Sequence, residues 1–180
     1  LTGLPNRALF VDRLQHALDR TARREVRGVA VVFIDLDDFK AVNDGRGHSM
    51  GDSLLREVAD RLRACFRPGD TVARLGGDEF SILLEDITTT EEAVQLTTRA
   101  LEVLRLPLTI ADLTIGVVAS AGVAMATDQS TVETLLRDAD TAMYGAKRER
   151  KGRAMLFDDS LRLIAQRRLE VKIELPEARR

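Results

Sequence analysis

Two short stretches put carboxylates where strands should end. In "FIDLDDFK", Asp35, Asp37 and Asp38 fall within four residues at the close of an apolar run. In "RLGGDEFSIL", Gly76 and Gly77 are followed at once by Asp78 and Glu79, with Phe80, Ile82 and Leu84 behind them. A turn needs glycine and tolerates aspartate, but it does not need a second acid beside the first. Carboxylates brought together repel unless a cation neutralises them. Hard oxygen ligands favour Mg²⁺ or Mn²⁺, whose shell a nucleotide's phosphates complete. Two such ions, about 4 Å apart, clamp a phosphoryl transfer. Taken singly, each stretch reads as a solvated acidic rim or a Gly-Gly turn. Together, both at strand ends, they tip the reading to a metal site.

Between them lies "NDGRGHSMGD". Asn43 precedes a turn, and Asp52 falls in the first turn of a helix starting near Ser49. Ser49-x-x-Asp52 has the form of a capping box, and turn chemistry alone accounts for Asn43 and the glycines. The functional reading uses guanine's edges. Its N1–H and N2–H₂ suit a carboxylate, and its N7 and O6 suit an amide N–H₂. Lys40 reads as a surface lysine or as a charge that stabilises a transferring phosphate.

These residues need a frame. Phe10, Leu14, Ala17 and Leu18 recur at helical spacing. The β-branched run Val29–Ile34 reads as a central strand buried on both faces. Met50, Leu54, Leu55, Val58, Leu62 and Phe66 form a helical stripe. "TVARL" and "EFSILLE" flank Gly76-Gly77 as a β-hairpin. A helix over about Thr90 to Leu104, one strand-like stretch "LTIGVVASAGVAMA", a helix bearing Val132 to Ala146, a strand near "AMLF" and a charged helical tail follow. Helices alternate with strands, but the hairpin interrupts the alternation. The expected fold is therefore α/β (α+β): a mixed central sheet containing a β-hairpin, surrounded by helices, of ferredoxin-like type.

Bulk properties narrow the classes. A chain of 180 residues builds one full domain with a proper core. A net charge of −2, with both signs abundant, argues against coating nucleic acid or membrane. No apolar run approaches the ~18 residues of a membrane span. The single cysteine, Cys65, excludes an internal disulfide and a Cys-rich metal site, and fits a reducing, cytoplasmic setting. The abrupt start at Leu1 and the charged "PEARR" end lead to the expectation of one piece of a longer protein, whose full length could carry a membrane anchor.

"GGDEF" at 76–80 resembles the signature of the GGDEF-domain diguanylate cyclases. So do "LTGLPNR" at 1–7, "FIDLDDFKAVND" at 33–44, "GHSMGDSLL" at 47–55 and "ADTAMYGAK" at 139–147. The match is ordered and spans Leu1 to about Phe157, which sets a domain at 1–158 with a nucleotidyl-cyclase palm. The resemblance implies condensation of two GTP molecules into cyclic di-GMP with release of pyrophosphate, two domains facing each other as a homodimer. It assigns Mg²⁺ (or Mn²⁺) to Asp35, the Leu36 carbonyl and Asp78, with Glu79 close by. Asp78 becomes the candidate base for the 3′-hydroxyl, with Glu79 and Lys40 in the catalytic set. Guanine recognition falls to Asn43 and Asp52, and His48 joins the nucleotide loop. Gly76 and Gly77 leave room for the nucleotide.

Lys147 and Lys151 take the positions of the family's phosphate-contacting basic residues. Here Arg150 stands where Gly is frequent and Lys151 where Arg is frequent, so this contact is a point charge rather than a fork. "SAG" at 120–122 replaces the more usual Ser-Ile-Gly. Arg67 and Asp70 match the Arg-x-x-Asp product-inhibition site for cyclic di-GMP, although as bare sequence "RPGD" is a Pro-Gly turn. Residues 159–180 resemble the helical connector that leads to an EAL phosphodiesterase domain. Two other readings stand beside an active cyclase. One is a regulatory module that binds GTP or cyclic di-GMP without turnover and controls a neighbouring EAL domain. The other is a generic palm-type nucleotidyl transferase, which leaves Asn43, Asp52 and "RPGD" unexplained.

Overall fold

The computed structural model describes residues 1–23, 27–110 and 112–161. Helix α1 spans Arg7–Ala22, its N-cap Asn6 side chain accepting from the Leu9 N–H at 3.0 Å. Strand β1, Val29–Leu36, is followed by α2, Phe39–Arg46, and α3, His48–Cys65. Then come β2, Thr71–Gly76, and β3, Glu79–Glu85, the two arms of the expected hairpin. Helix α4, Thr90–Arg105, precedes a small hairpin of β4, Leu108–Ile110, and β5, Leu113–Ile115. Strand β6, Ala119–Met125, helix α5, Val132–Glu149, and strand β7, Ala154–Leu156, complete the described elements.

The main sheet has the order β2-β3-β1-β6-β7. All neighbours are antiparallel except β6 and β7. With α3 and α4 as the two connecting helices, β1, β2, β3 and β6 reproduce the split β-α-β order of a ferredoxin-like sheet. Strand β1 lies at the centre and is buried on both faces from Val29 to Ile34, as its unbroken apolar run requires. Ala30, Val32, Ile34 and Leu36 face α3 and α4, among Leu54, Val58, Leu62 and Leu104. Val29, Val31 and Phe33 face α1 and α5, among Phe10, Leu14, Leu135 and Met143. Helix α5 lies directly on β6 at Gly122, where a Cβ would fall 2.0 Å from the Ala139 carbonyl oxygen. That contact fixes the last turn of α5 beside the end of β1.

Three local expectations are corrected. The stretch containing Asn43 is helix α2 rather than a loop. Its first turn follows Asp38 in the left-handed region (φ 60°), and buried Phe39 anchors it. Helix α3 begins at His48 with Gly47 as N-cap and no side-chain cap bond, so Ser49 and Asp52 form no capping box. The strand expected over 113–126 is two strands, β5 and β6, separated by residues 116–118. The expected connector lies outside the described residues from position 162 onward.

Candidate active site at the end of the central strand

Antiparallel pairing of β1 with β3 aligns Asp35 with Glu79. The Leu36 N–H donates to the Asp78 carbonyl oxygen at 3.3 Å, extending the pairing into the turn. The two acidic stretches, about forty residues apart in sequence, therefore meet at one end of the sheet. Gly77 turns the hairpin with φ +49°, a conformation few side chains adopt readily. Arg74 braces that turn, its Nε and terminal nitrogen donating to the Gly77 carbonyl at 2.9 and 2.6 Å. A Cβ at Gly76 or Gly77 would meet nothing within 4 Å, so both glycines border open space.

The acids already face cations. Lys147, in the last turn of α5, contacts Asp35 Oδ1, and its Nζ lies 3.9 Å from Asp37 Oδ1. Lys151 Nζ donates to both oxygens of Asp38 at 2.8 Å. Burial raises the Asp35 pKa and the nearby Asp78 and Asp37 charges add to it, against the opposing pull of Lys147. Burial also raises the Glu79 pKa, helped by Asp35, Asp140 and Asp78 and opposed by Arg7.

A divalent cation fits this donor set. Asp35 and Asp78 supply hard carboxylate oxygens, and Lys147 already holds a positive charge against Asp35. Among the described residues no three His, Cys, Asp or Glu form a ready cage. Water and phosphate oxygens would complete such a shell.

The raised Glu79 pKa has a measurable consequence for stability. Folding opposes its ionisation, so the penalty is fully present above the folded pKa and vanishes below the ordinary value of 4.5. Without metal, Glu79→Gln is expected to melt at a higher temperature than the parent at pH 7 and at the same temperature near pH 3. Thermal melts in EDTA at both pH values test this, and an equal or lower melting temperature at pH 7 refutes it.

Asn43 lies on α2, and its Oδ1 is buried with no hydrogen-bond partner among the described residues. It rests against α3 at Gly51, where a Cβ would fall 2.0 Å from that oxygen and 3.2 Å from Phe39 Cζ. Asn43 is thereby seated one residue from the half-buried Asp52. His48 is exposed at the start of α3. Lys40 is exposed on α2 and takes no part in the ion pairs above. Gly51 is the positioning residue the sequence reading passed over; its signal was a glycine within a run that otherwise holds helical spacing.

On the far side of the hairpin, Asp70 closes the "RPGD" turn. Its side chain is 3% exposed and accepts from the Arg67 and Glu85 backbone N–H groups at 3.2 and 3.4 Å. The Arg67 guanidinium is half exposed, beside a groove of about 300 Å³ also lined by Arg13 and Arg63. The turn reading is thus realised, with a cationic surface next to it. Among the described residues no helix is long and apolar enough to cross a membrane.

Residues 1–153 match the family model described as "Diguanylate cyclase, GGDEF domain". The chain is 42% identical over 179 residues to MucR of Pseudomonas aeruginosa, a bifunctional diguanylate cyclase/cyclic di-GMP phosphodiesterase, covering 99% of this chain and 26% of MucR. It is 39% identical over 180 residues to the diguanylate cyclase TpbB of the same organism, covering 99% of this chain and 41% of TpbB. The chain thus spans well under half the length of these two relatives. The solved structure of the TpbB GGDEF domain superposes with a TM-score of 0.87 at 38% identity, over 92% of this chain and 96% of that one. The GGDEF domain of DgcB from Caulobacter crescentus, solved with cyclic di-GMP, gives a TM-score of 0.80 at 26% identity, over 86% of this chain and 92% of that one.

Proposed function

The chain belongs to the GGDEF diguanylate cyclase family, and from that membership we propose that it condenses two GTP molecules into cyclic di-GMP and pyrophosphate. The observation that carries this reading is the β1–β3 register, which sets Asp35 opposite Glu79 and the Asp78 carbonyl against Leu36. Asp35, the Leu36 carbonyl and Asp78 would hold Mg²⁺ or Mn²⁺, with Glu79 beside them. When bound, such an ion supplies positive charge against the triphosphate.

The remaining work falls to the chain's own groups. Asp78 takes the proton from the attacking ribose 3′-hydroxyl, which needs an acceptor within hydrogen-bond reach. Lys147, Lys151 and Lys40 hold the phosphate charge, which positioned cations do best in a water-poor site. Asn43 and Asp52 read guanine. With Oδ1 turned in against Gly51, the Asn43 amide nitrogen is the end left to donate to N7 or O6, while Asp52 accepts from N1–H and N2–H₂. His48 borders the same nucleotide, and Gly76 and Gly77 leave space for it.

One domain carries one GTP, so the in-line attack joins two copies face to face and turnover depends on dimerisation. Residues 1–158 are the cyclase domain in this reading, and 159–180 connect it to a following domain. MucR, named for both activities, makes an EAL phosphodiesterase the natural candidate for that partner. GTP as substrate and an unpaired Cys65 suit the cytoplasm. The non-catalytic module is not favoured, because Asp35, Asp78 and Glu79 stand at the motif positions that the cyclase reading assigns to metal and base. Incubation with GTP and Mg²⁺, following cyclic di-GMP and pyrophosphate in a one-to-two ratio, tests the proposal; tight GTP binding without product would overturn it.

Product feedback is part of the proposal. The half-exposed Arg67 guanidinium, with Asp70 behind it, would grip a guanine of cyclic di-GMP through charge-assisted bonds. Arg67→Ala is expected to weaken cyclic di-GMP binding by about tenfold or more in calorimetry, the scale of one charged hydrogen bond. Undiminished binding removes the assignment.

A further inference from the structure

Three aspartates stand at and just past the end of β1, and the proposed chemistry uses only the first. The second is the most enclosed. The Asp37 side chain is 1% exposed, whereas that of Asp38 is 71% exposed. Asp37 Oδ2 accepts from the Ser120 hydroxyl at 2.7 Å, and its backbone N–H donates to the Val118 carbonyl at 2.8 Å. The same Ser120 oxygen accepts the Gly152 N–H at 3.0 Å. Asp37 is therefore tied, through one fully buried hydroxyl, to the turn that carries Lys151. Its other oxygen, Oδ1, is buried without a hydrogen-bond partner, and the nearest charge to it is Lys147 Nζ at 3.9 Å.

A buried carboxylate oxygen left without a donor is unusual and calls for an explanation. The neighbouring lysine supplies one. Lys147 now contacts Oδ1 of Asp35, the residue expected to bind the divalent cation, and two cations at one carboxylate repel each other. A metal on Asp35 therefore favours a move of the ammonium away from it. Closing the 3.9 Å gap to a normal hydrogen bond with Asp37 Oδ1 takes a shift of about 1 Å. Asp37 cannot move away, because Ser120 and Val118 hold it from two sides.

We propose that Asp37 is a positioning residue for the two phosphate lysines: through Ser120 it fixes the Gly152 turn that bears Lys151, and its unpaired Oδ1 receives Lys147 whenever Asp35 is engaged elsewhere. The lysine then passes between two fixed seats and is never released to solvent. A triphosphate arriving with its metal meets a charge already in place, which removes the cost of ordering a long side chain at that moment. The role of these lysines toward phosphate rests on the cyclase reading; their seating does not.

The test therefore needs neither metal nor nucleotide, so its failure is distinct from failure of the cyclase reading. Asp35→Ala removes the first seat. Pulse acylation of lysine amines in EDTA, read residue by residue by peptide mass spectrometry, reports how firmly Lys147 is held. An ammonium held on a carboxylate in a partly buried seat is shielded from the reagent, while one extended into water meets it freely. With Asp37 as the second seat, the Lys147 rate in Asp35→Ala stays within about threefold of the parent, and adding Asp37→Asn raises it to the rate of exposed Lys40, about tenfold or more, the scale of one charged hydrogen bond. A rise beyond threefold in Asp35→Ala alone overturns the proposal, as does continued protection in the doubly substituted protein. Should the double variant fail to fold, the single variant decides. A merely structural Asp37 would not move the reactivity of one lysine.

Discussion

Replacing Asp78 by alanine is expected to lower cyclic di-GMP formation by at least about a thousandfold, while leaving the fold in place. The two halves of this expectation have separate physical origins. The link between the hairpin tip and β1 is made by the Asp78 backbone, whose carbonyl accepts from Leu36, and alanine keeps that carbonyl. The turn depends on the positive φ of Gly77 and on Arg74 gripping its carbonyl, which alanine at 78 does not touch. What disappears is a carboxylate next to Asp35. Losing a general base alone costs about 10²–10⁴ in rate, and losing a cation ligand adds to that. Chromatography of GTP, cyclic di-GMP and pyrophosphate at matched protein concentration measures it. Retained turnover would remove Asp78 from both roles and with it the central part of the proposed mechanism.

The pairing behind that expectation was largely legible in the residue order, and the reasons are local. Val29–Ile34 is too short and too β-branched for a helix and carries no polar face, so it had to be a central strand. Two glycines between alternating apolar runs forced a hairpin, and a central strand beside a hairpin brings their ends together. Helix α2 was not legible. It is eight residues long, contains Asn43, Asp44 and Gly45, and starts from a left-handed Asp38 with no side-chain cap, so every local signal reads as turn. Tertiary packing of Phe39 supplies what propensity lacks. The Lys147–Asp35 contact joins residues 112 positions apart, and no spacing rule reaches that far. Ser120 looked like an ordinary strand serine; only the register of β6 against β1 brings its hydroxyl to Asp37. Gly51 was hidden for a related reason. Its meaning is a neighbour's side chain, and that neighbour sits on the helix that went unread.

Gly51 and Asp52 together set the second large effect. Asp52→Asn is expected to lower kcat/KM for GTP by about a hundredfold to a thousandfold while leaving the much lower value for ATP unchanged. Guanine presents two donors, N1–H and N2–H₂, to the acceptor it meets. A carboxylate accepts both; an amide accepts one and confronts the other with its own N–H. A site built to pair a specific polar edge loses its discrimination when that edge is left unmatched, because the unpaired groups are already out of water. The substitution does not act by weakening the helix, since α3 is capped at Gly47 and Asp52 caps nothing. Gly51→Ala supplies a graded companion: its Cβ would stand 2.0 Å from Asn43 Oδ1, so Asn43 must swing away, and GTP should lose about tenfold. Competition between GTP and ATP at equal concentration, with circular dichroism to verify the fold, measures both variants. If the preference for GTP survived Asp52→Asn, guanine would be read by other groups than the pair that α2 and α3 hold side by side.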